Sequence, residues 1–150
     1  MFIKKEKLHT DLPVLAAVMI YAYFISWYSG NRGVLPIDTF SFLDSGNSVL
    51  QGHLPIRDFW AFTGLIIDYI QSIFVLLFGN SWNSYLAHSS FMNIIATVSL
   101  FFFLKEFNLK LIYVVFYCIS FATLCYPITG TPFHYMHAYI FSLISVFCTI

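Results

Sequence analysis

The carboxylates Asp38, Asp44, Asp58 and Asp68 fall in one stretch of a chain that is only 9% charged, and Arg57 stands directly beside Asp58. These residue types can act on sugars, phosphates or protons. A carboxylate within hydrogen-bond reach of a hydroxyl can take its proton, and one close to lipid has its pKa raised by desolvation, toward the range a general base needs. A guanidinium can grip a phosphate bidentately. His134 and His137 lie one helical turn apart, a spacing compatible with metal ligation, but no Cys, Asp or Glu nearby completes a set, so no metal site is expected.

Each of these residues also has a plainer reading. Asp38 immediately precedes the periodic stretch "TFSFLDSGNSVLQG", where its carboxylate can cap the first N–H groups of a helix. Arg57 and Asp58 can form an exposed loop ion pair worth about 0–1 kcal/mol, or Asp58 can fix the loop through backbone N–H groups while Arg57 faces a phosphate. Asp68 falls with Gly64, Gln71 and Ser72 on one stripe of an otherwise apolar helix, where it is either solvated or lines a cavity.

The elements that must position these residues are apolar. The chain is 59% hydrophobic and 21% aromatic, with a mean hydropathy of +0.79, more apolar surface than 150 residues can bury in water. The expected solvent is a bilayer and the expected fold class is all-α, a polytopic membrane protein. The net charge is zero and no basic run extends beyond Lys4, Lys5 and Lys7, so no nucleic-acid partner is expected. Cys118, Cys125 and Cys148 sit within apolar runs and lack CxxC spacing, so neither a disulfide framework nor a zinc site is indicated.

Four spans are expected, at about residues 12–28, 85–104, 111–126 and 134–150, within one unit covering 1–150. The first is too long for a signal-peptide core and ends in the interfacial pair Trp27 and Tyr28. Between the first two spans, residues 29–84 form an outer loop with short helices at about 39–51 and 64–78, the first stopped by Gly52. The run from Gly64 to Phe78 has about 15 residues against the roughly 20 needed to cross, so it is expected at the interface or in a re-entrant position packed on protein. That choice places Lys105 and Lys110 on the same side as the N-terminal lysines, as the positive-inside rule prefers. The expected localisation is therefore a multi-pass protein of the cell (inner or plasma) membrane with a cytoplasmic N-terminus. The last apolar run reaches Ile150 with no polar flank, which suggests part of a longer protein.

The stretch "DTFSFLDSGNSVLQGHLPIRDFWAFTGLIIDYIQSIFVLLFG" resembles the first outer loop of the GT-C superfamily of membrane glycosyltransferases, which includes the protein mannosyltransferases and aminoarabinose transferases. The shared order is an acid after the first span, an amphipathic helix, a G-x-x-P-x-x-D-F segment, a glycine and a second helix ending in F-G. Here it runs through Asp38, Gly52, Pro55, Asp58, Phe59, Gly64 and Phe78-Gly79, and the likeness covers roughly residues 10–125. It implies sugar transfer from a polyprenyl-phosphate donor to an acceptor at the outer face, with Asp38 as the catalytic or acceptor-binding acid. Arg57, Asp58, Asp68, His134 and His137 would be substrate-binding. It fixes no cofactor and leaves a divalent metal open. The chain departs from many relatives in having Thr39 after Asp38 and no acid in "PITGTPFHYMH". A non-catalytic polytopic protein, either a transporter or flippase fragment or an accessory subunit, is the alternative. Against transport stands the concentration of acids in the loop and not at the centre of the spans.

Overall fold

A computed structural model describes residues 5–33, 39–61, 64–125 and 130–149. Among them are six helices and no strand: α1 (Lys5–Gly30), α2 (Thr39–Leu50), α3 (Leu65–Phe78), α4 (Trp82–Glu106), α5 (Leu111–Cys125) and α6 (His134–Thr149). Two of them, α1 from Asp11 onward and α4, are long and apolar enough to cross a membrane. The remaining apolar helices are shorter.

Side-chain contacts fix how the long helices run. At one end, Lys105 Nζ of α4 lies 2.6 Å from Asp11 Oδ2 of α1. Toward the other end, Asn93 of α4 donates to Ala22 O at 3.0 Å and to Ser26 Oγ at 2.8 Å, so α1 and α4 are antiparallel. The same Asn93 amide reaches Ala122 O of α5 at 3.0 Å, and Val18, Phe101, Val114 and Cys118 pack as one core further down, which sets α5 alongside α1. Helix α6 follows α4: Ile140 packs on Met92 and Ala96, and Phe147 stacks on Phe103.

Much of the interior along α4 is polar. Ser84, His88, Ser89, Ser90, Asn93 and Thr97 of α4 are all buried, whereas Phe24, Ile112, Phe116 and Leu124 are more than 60% exposed. This is the arrangement lipid favours, because apolar side chains lose nothing by facing acyl chains whereas amides and hydroxyls need partners inside. Asn93 ties three helices together by this means, with interhelical bonds of a kind worth about 0.6 kcal/mol on average in a membrane.

The short helices α2 and α3 fold on each other and against the first half of α4. Gly46 of α2 permits this, since a Cβ there would sit 2.4 Å from Gln71 Cγ and 2.8 Å from Gln71 Cβ. Ile67, Phe42 and Tyr85 form the core beneath them. The orientation of α3 corrects the solvated reading of its polar stripe. Asp68 is 3% exposed and Gln71 fully buried, while Leu76 and Leu77 face outward at 68% and 66%. Ser72, also on the stripe, satisfies its hydroxyl on Tyr69 O of its own helix.

Candidate functional site

The sequence candidates separate into three places. Asp38 lies outside the described residues. Arg57 and Asp58 sit in the tight turn after α2, and Asp68, His134 and His137 gather where α3, α4 and the start of α6 meet.

The turn is built around Asp58. Its Oδ2 accepts the Leu54 N–H at 2.8 Å, and its own N–H donates to Leu54 O at 2.9 Å. Arg57 donates from Nε and Nη2 to the two carboxylate oxygens at 2.8 and 2.7 Å, a forked pair. The guanidinium first, and then the Leu54 N–H, hold the Asp58 carboxyl well below the usual carboxylate range; the same pairing raises the Arg57 pKa. Ile56 adopts a positive φ of 72°, a conformation the two-sided grip of Asp58 on Leu54 holds in place. Asp58 thus forms the exposed ion pair of the plainer reading and at the same time fixes the loop through backbone groups. Arg57 remains 68% exposed, with the rest of its guanidinium facing outward.

Asp68 stands apart. Among the described residues no cation pairs with it; the Ser45 hydroxyl of α2 donates to its Oδ1 at 2.5 Å. Burial pushes its carboxyl up from the ordinary value, partly opposed by that bond. A carboxylate buried with one neutral donor is costly to keep charged, and such groups cluster where they are used.

Beside Asp68 runs a chain of buried polar groups. Gln71 Nε2 lies 3.5 Å from Ser84 Oγ, and Gln71 Oε1 lies 2.8 Å from His88 Nδ1. His88 Nε2 meets His137 Nε2 at 3.0 Å, and His137 Nδ1 reaches Phe133 O at 2.8 Å. Phe74 stacks on the His88 ring with centroids 5.1 Å apart. Tyr85 donates its hydroxyl to Pro132 O, which ties α4 to the segment before α6. His134 rests against Phe42 and Phe133, and its Nδ1 is buried with no hydrogen-bond partner among the described residues. His134 and His137, one helical turn apart, thus face different partners, His134 the rings of Phe42 and Phe133. His137 pairs with His88 instead.

His88, Gln71, Ser84 and Ser45 were not singled out as site residues from sequence. A usable signal existed for His88: an ionisable residue within the apolar run after Tyr85, one turn beyond Ser84. No group of three or more His, Cys, Asp or Glu is arranged to hold a metal among the described residues. The chain matches no family model, and neither curated proteins nor solved structures gave a significant match.

Proposed function

We propose that this chain forms the first-loop region of a GT-C-type membrane glycosyltransferase, which moves a sugar from a polyprenyl-phosphate carrier to an acceptor at the outer membrane face. In this reading α1, α4, α5 and α6 cross the bilayer, the N-terminus is cytoplasmic, and α2 and α3 lie at the outer surface.

The observation that carries the reading is the antiparallel setting of α1 and α4, with Asp11 against Lys105 at one end and Ser26 against Asn93 toward the other. A crossing α3 would set α4 parallel to α1. With α3 folded back, the loop between the two long helices stays at one end of the bundle, together with Asp44, Arg57, Asp58 and Asp68. A lipid-linked donor demands a site at that level. The elements also follow the order of the resemblance: α2, the Gly52 to Phe59 turn fixed by Asp58, then α3 ending at Phe78-Gly79.

The division of labour follows from the chemistry. Asp38 is the acid that takes or positions the acceptor hydroxyl. Asp58 is committed to the turn, and Arg57 presents the open edge of its guanidinium to the donor phosphate. Asp68, raised by burial, is a reserve of basicity behind the loop. His134 supports the loop before α6 beside Phe42 and Phe133, and His137, buried with both ring nitrogens hydrogen-bonded, holds that loop in place.

The test uses membranes containing the protein and a radiolabelled polyprenyl-phosphate hexose. Donor consumption above that of control membranes is expected, with Asp38→Asn lowering it by at least about 100-fold while leaving insertion intact. Unchanged turnover would remove Asp38 from the mechanism. No consumption by the wild-type protein would favour the non-catalytic alternative.

A further inference from the structure

The hydrogen atoms of the buried histidine couple can be counted from its partners. Phe133 O only accepts, so His137 Nδ1, 2.8 Å away, carries a hydrogen; in a neutral ring its Nε2 is then a bare lone pair. Gln71 Oε1 also only accepts, so His88 Nδ1, 2.8 Å away, carries a hydrogen, and in a neutral ring its Nε2 is bare as well. Yet the two Nε2 atoms face each other at 3.0 Å. Two lone pairs at that distance repel, whereas one proton between them makes a good hydrogen bond. The arrangement is that of two imidazoles sharing one extra proton.

A neutral couple is possible only if one outer partner changes sides. Phe133 O cannot, because it is a backbone carbonyl. Gln71 can, because its amide offers a donor and an acceptor at nearly the same position. Turned over, its Nε2 donates to His88 Nδ1, His88 donates from Nε2 to His137 Nε2, and His137 still donates to Phe133 O. Gln71 Oε1 then faces Ser84, whose hydroxyl is bonded to Ser81 O at 2.8 Å in the protonated arrangement and is free to turn.

We propose that His88 and His137 form one buried proton-binding site, which holds a single proton between the two Nε2 atoms when Gln71 presents its oxygen and releases it to solvent when Gln71 presents its nitrogen. The site joins three elements: α3 through Gln71, α4 through His88 and α6 through His137. Proton occupancy therefore sets the direction of a hydrogen-bond chain that runs from Phe133 to Ser81, the residue capping α4. The other titratable groups near it are Asp68 on α3, Tyr85 on α4 and His134 on α6; Cys125 of α5 packs on Met92, Ala96 and Ile140, Tyr23 of α1 lies against Phe91, and Asp44 of α2 is exposed. The proposal is independent of the transferase reading, since it rests on the partners of two rings and on no substrate.

The experiment is NMR of the wild-type chain in bicelles with 15N-labelled histidine, titrated between about pH 9 and pH 4. At the alkaline end, His88 should carry its hydrogen on Nε2 and His137 on Nδ1. On acidification the couple should take up one proton, and His88 should gain a hydrogen on Nδ1. Gln71→Glu places a carboxylate against His88 Nδ1 and should raise the midpoint of that uptake by about one pH unit or more. Both rings hydrogenated on Nδ1 in the alkaline spectrum would overturn the proposal. So would independent uptake of two protons by the couple, an absence of uptake down to the acid limit, or an unmoved midpoint in a folded Gln71→Glu.

Discussion

Replacing Gly46 with alanine sets two effects against each other, and the geometry decides which wins. In a helix interior alanine is favoured over glycine by about 0.8–1 kcal/mol. At this position, however, the new methyl would lie 2.4 Å from Gln71 Cγ, 2.8 Å from Gln71 Cβ and 3.2 Å from Gln71 C. A rotamer change can move Cγ but not Cβ or the carbonyl carbon. Relief thus requires α2 and α3 to move apart, and the Ser45–Asp68 bond, one residue from the contact, lengthens with them. Overpacking of this kind costs about 1–3 kcal/mol, and loss of a bond to a charged group adds about 1.5 kcal/mol or more. The net expectation for Gly46→Ala is a loosening of the α2–α3 pair by about 1.5–3.5 kcal/mol, which corresponds to amide exchange in α2 roughly 10- to 400-fold faster. Hydrogen exchange of residues 40–50 in bicelles reads it directly, with α5 amides as an internal standard. Exchange in α2 that is unchanged or slower than wild type would refute the reasoning, since propensity would then have outweighed the contact.

Three further outcomes are expected. In sealed vesicles of known orientation, an impermeant thiol reagent should label Asn80→Cys from the outside and Glu106→Cys only after permeabilisation; the reverse, Glu106→Cys labelled from the outside and Asn80→Cys only after permeabilisation, would mean that α3 crosses. The turn at residues 54–59 should keep its order as pH falls through the ordinary carboxylate range, because the Asp58 pKa is lowered by Arg57 and the Leu54 N–H. Its stabilising bonds are fully present above the unfolded-state pKa and are lost only as pH falls through the lowered folded-state value. Exchange of the Leu54 amide against pH checks this, and Asp58→Asn should raise that exchange at neutral pH. Asp68 has the opposite sign: its folded-state pKa is raised by burial, so its contribution favours folding below the unfolded-state value and is lost as pH rises through the folded-state one. Asp68→Asn, which keeps a partner for Ser45 without a buried charge, should therefore resist unfolding at neutral pH at least as well as wild type, as measured by thermal unfolding in detergent.

Helix positions were largely legible in the sequence. The runs expected as spans at about 12–28, 85–104, 111–126 and 134–150 fall on helices α1, α4, α5 and α6, of which α1 and α4 are long and apolar enough to cross a membrane, and the short helices at about 39–51 and 64–78 fall on α2 and α3. Apolar runs of fixed length, broken by Gly52, Gly64, Gly79 and the "PITGTPF" segment, leave few other places for helix ends. The polar stripe of α3 was legible too, but its direction was not. Periodicity shows that Asp68 and Gln71 share a face; which way that face turns is decided by packing, and here it turns inward onto Ser45 of α2 and His88 of α4.

Local pattern sets where this chain is helical and that its surface is apolar, since both depend on residues within a few turns of one another. The joining of His88 to His137 across 49 positions, and of Ser45 to Asp68 across 23, was decided only when the helices packed. A lone buried polar group has no water to satisfy it, so it bonds to whichever partner the tertiary structure brings near, and no spacing along the chain specifies that partner.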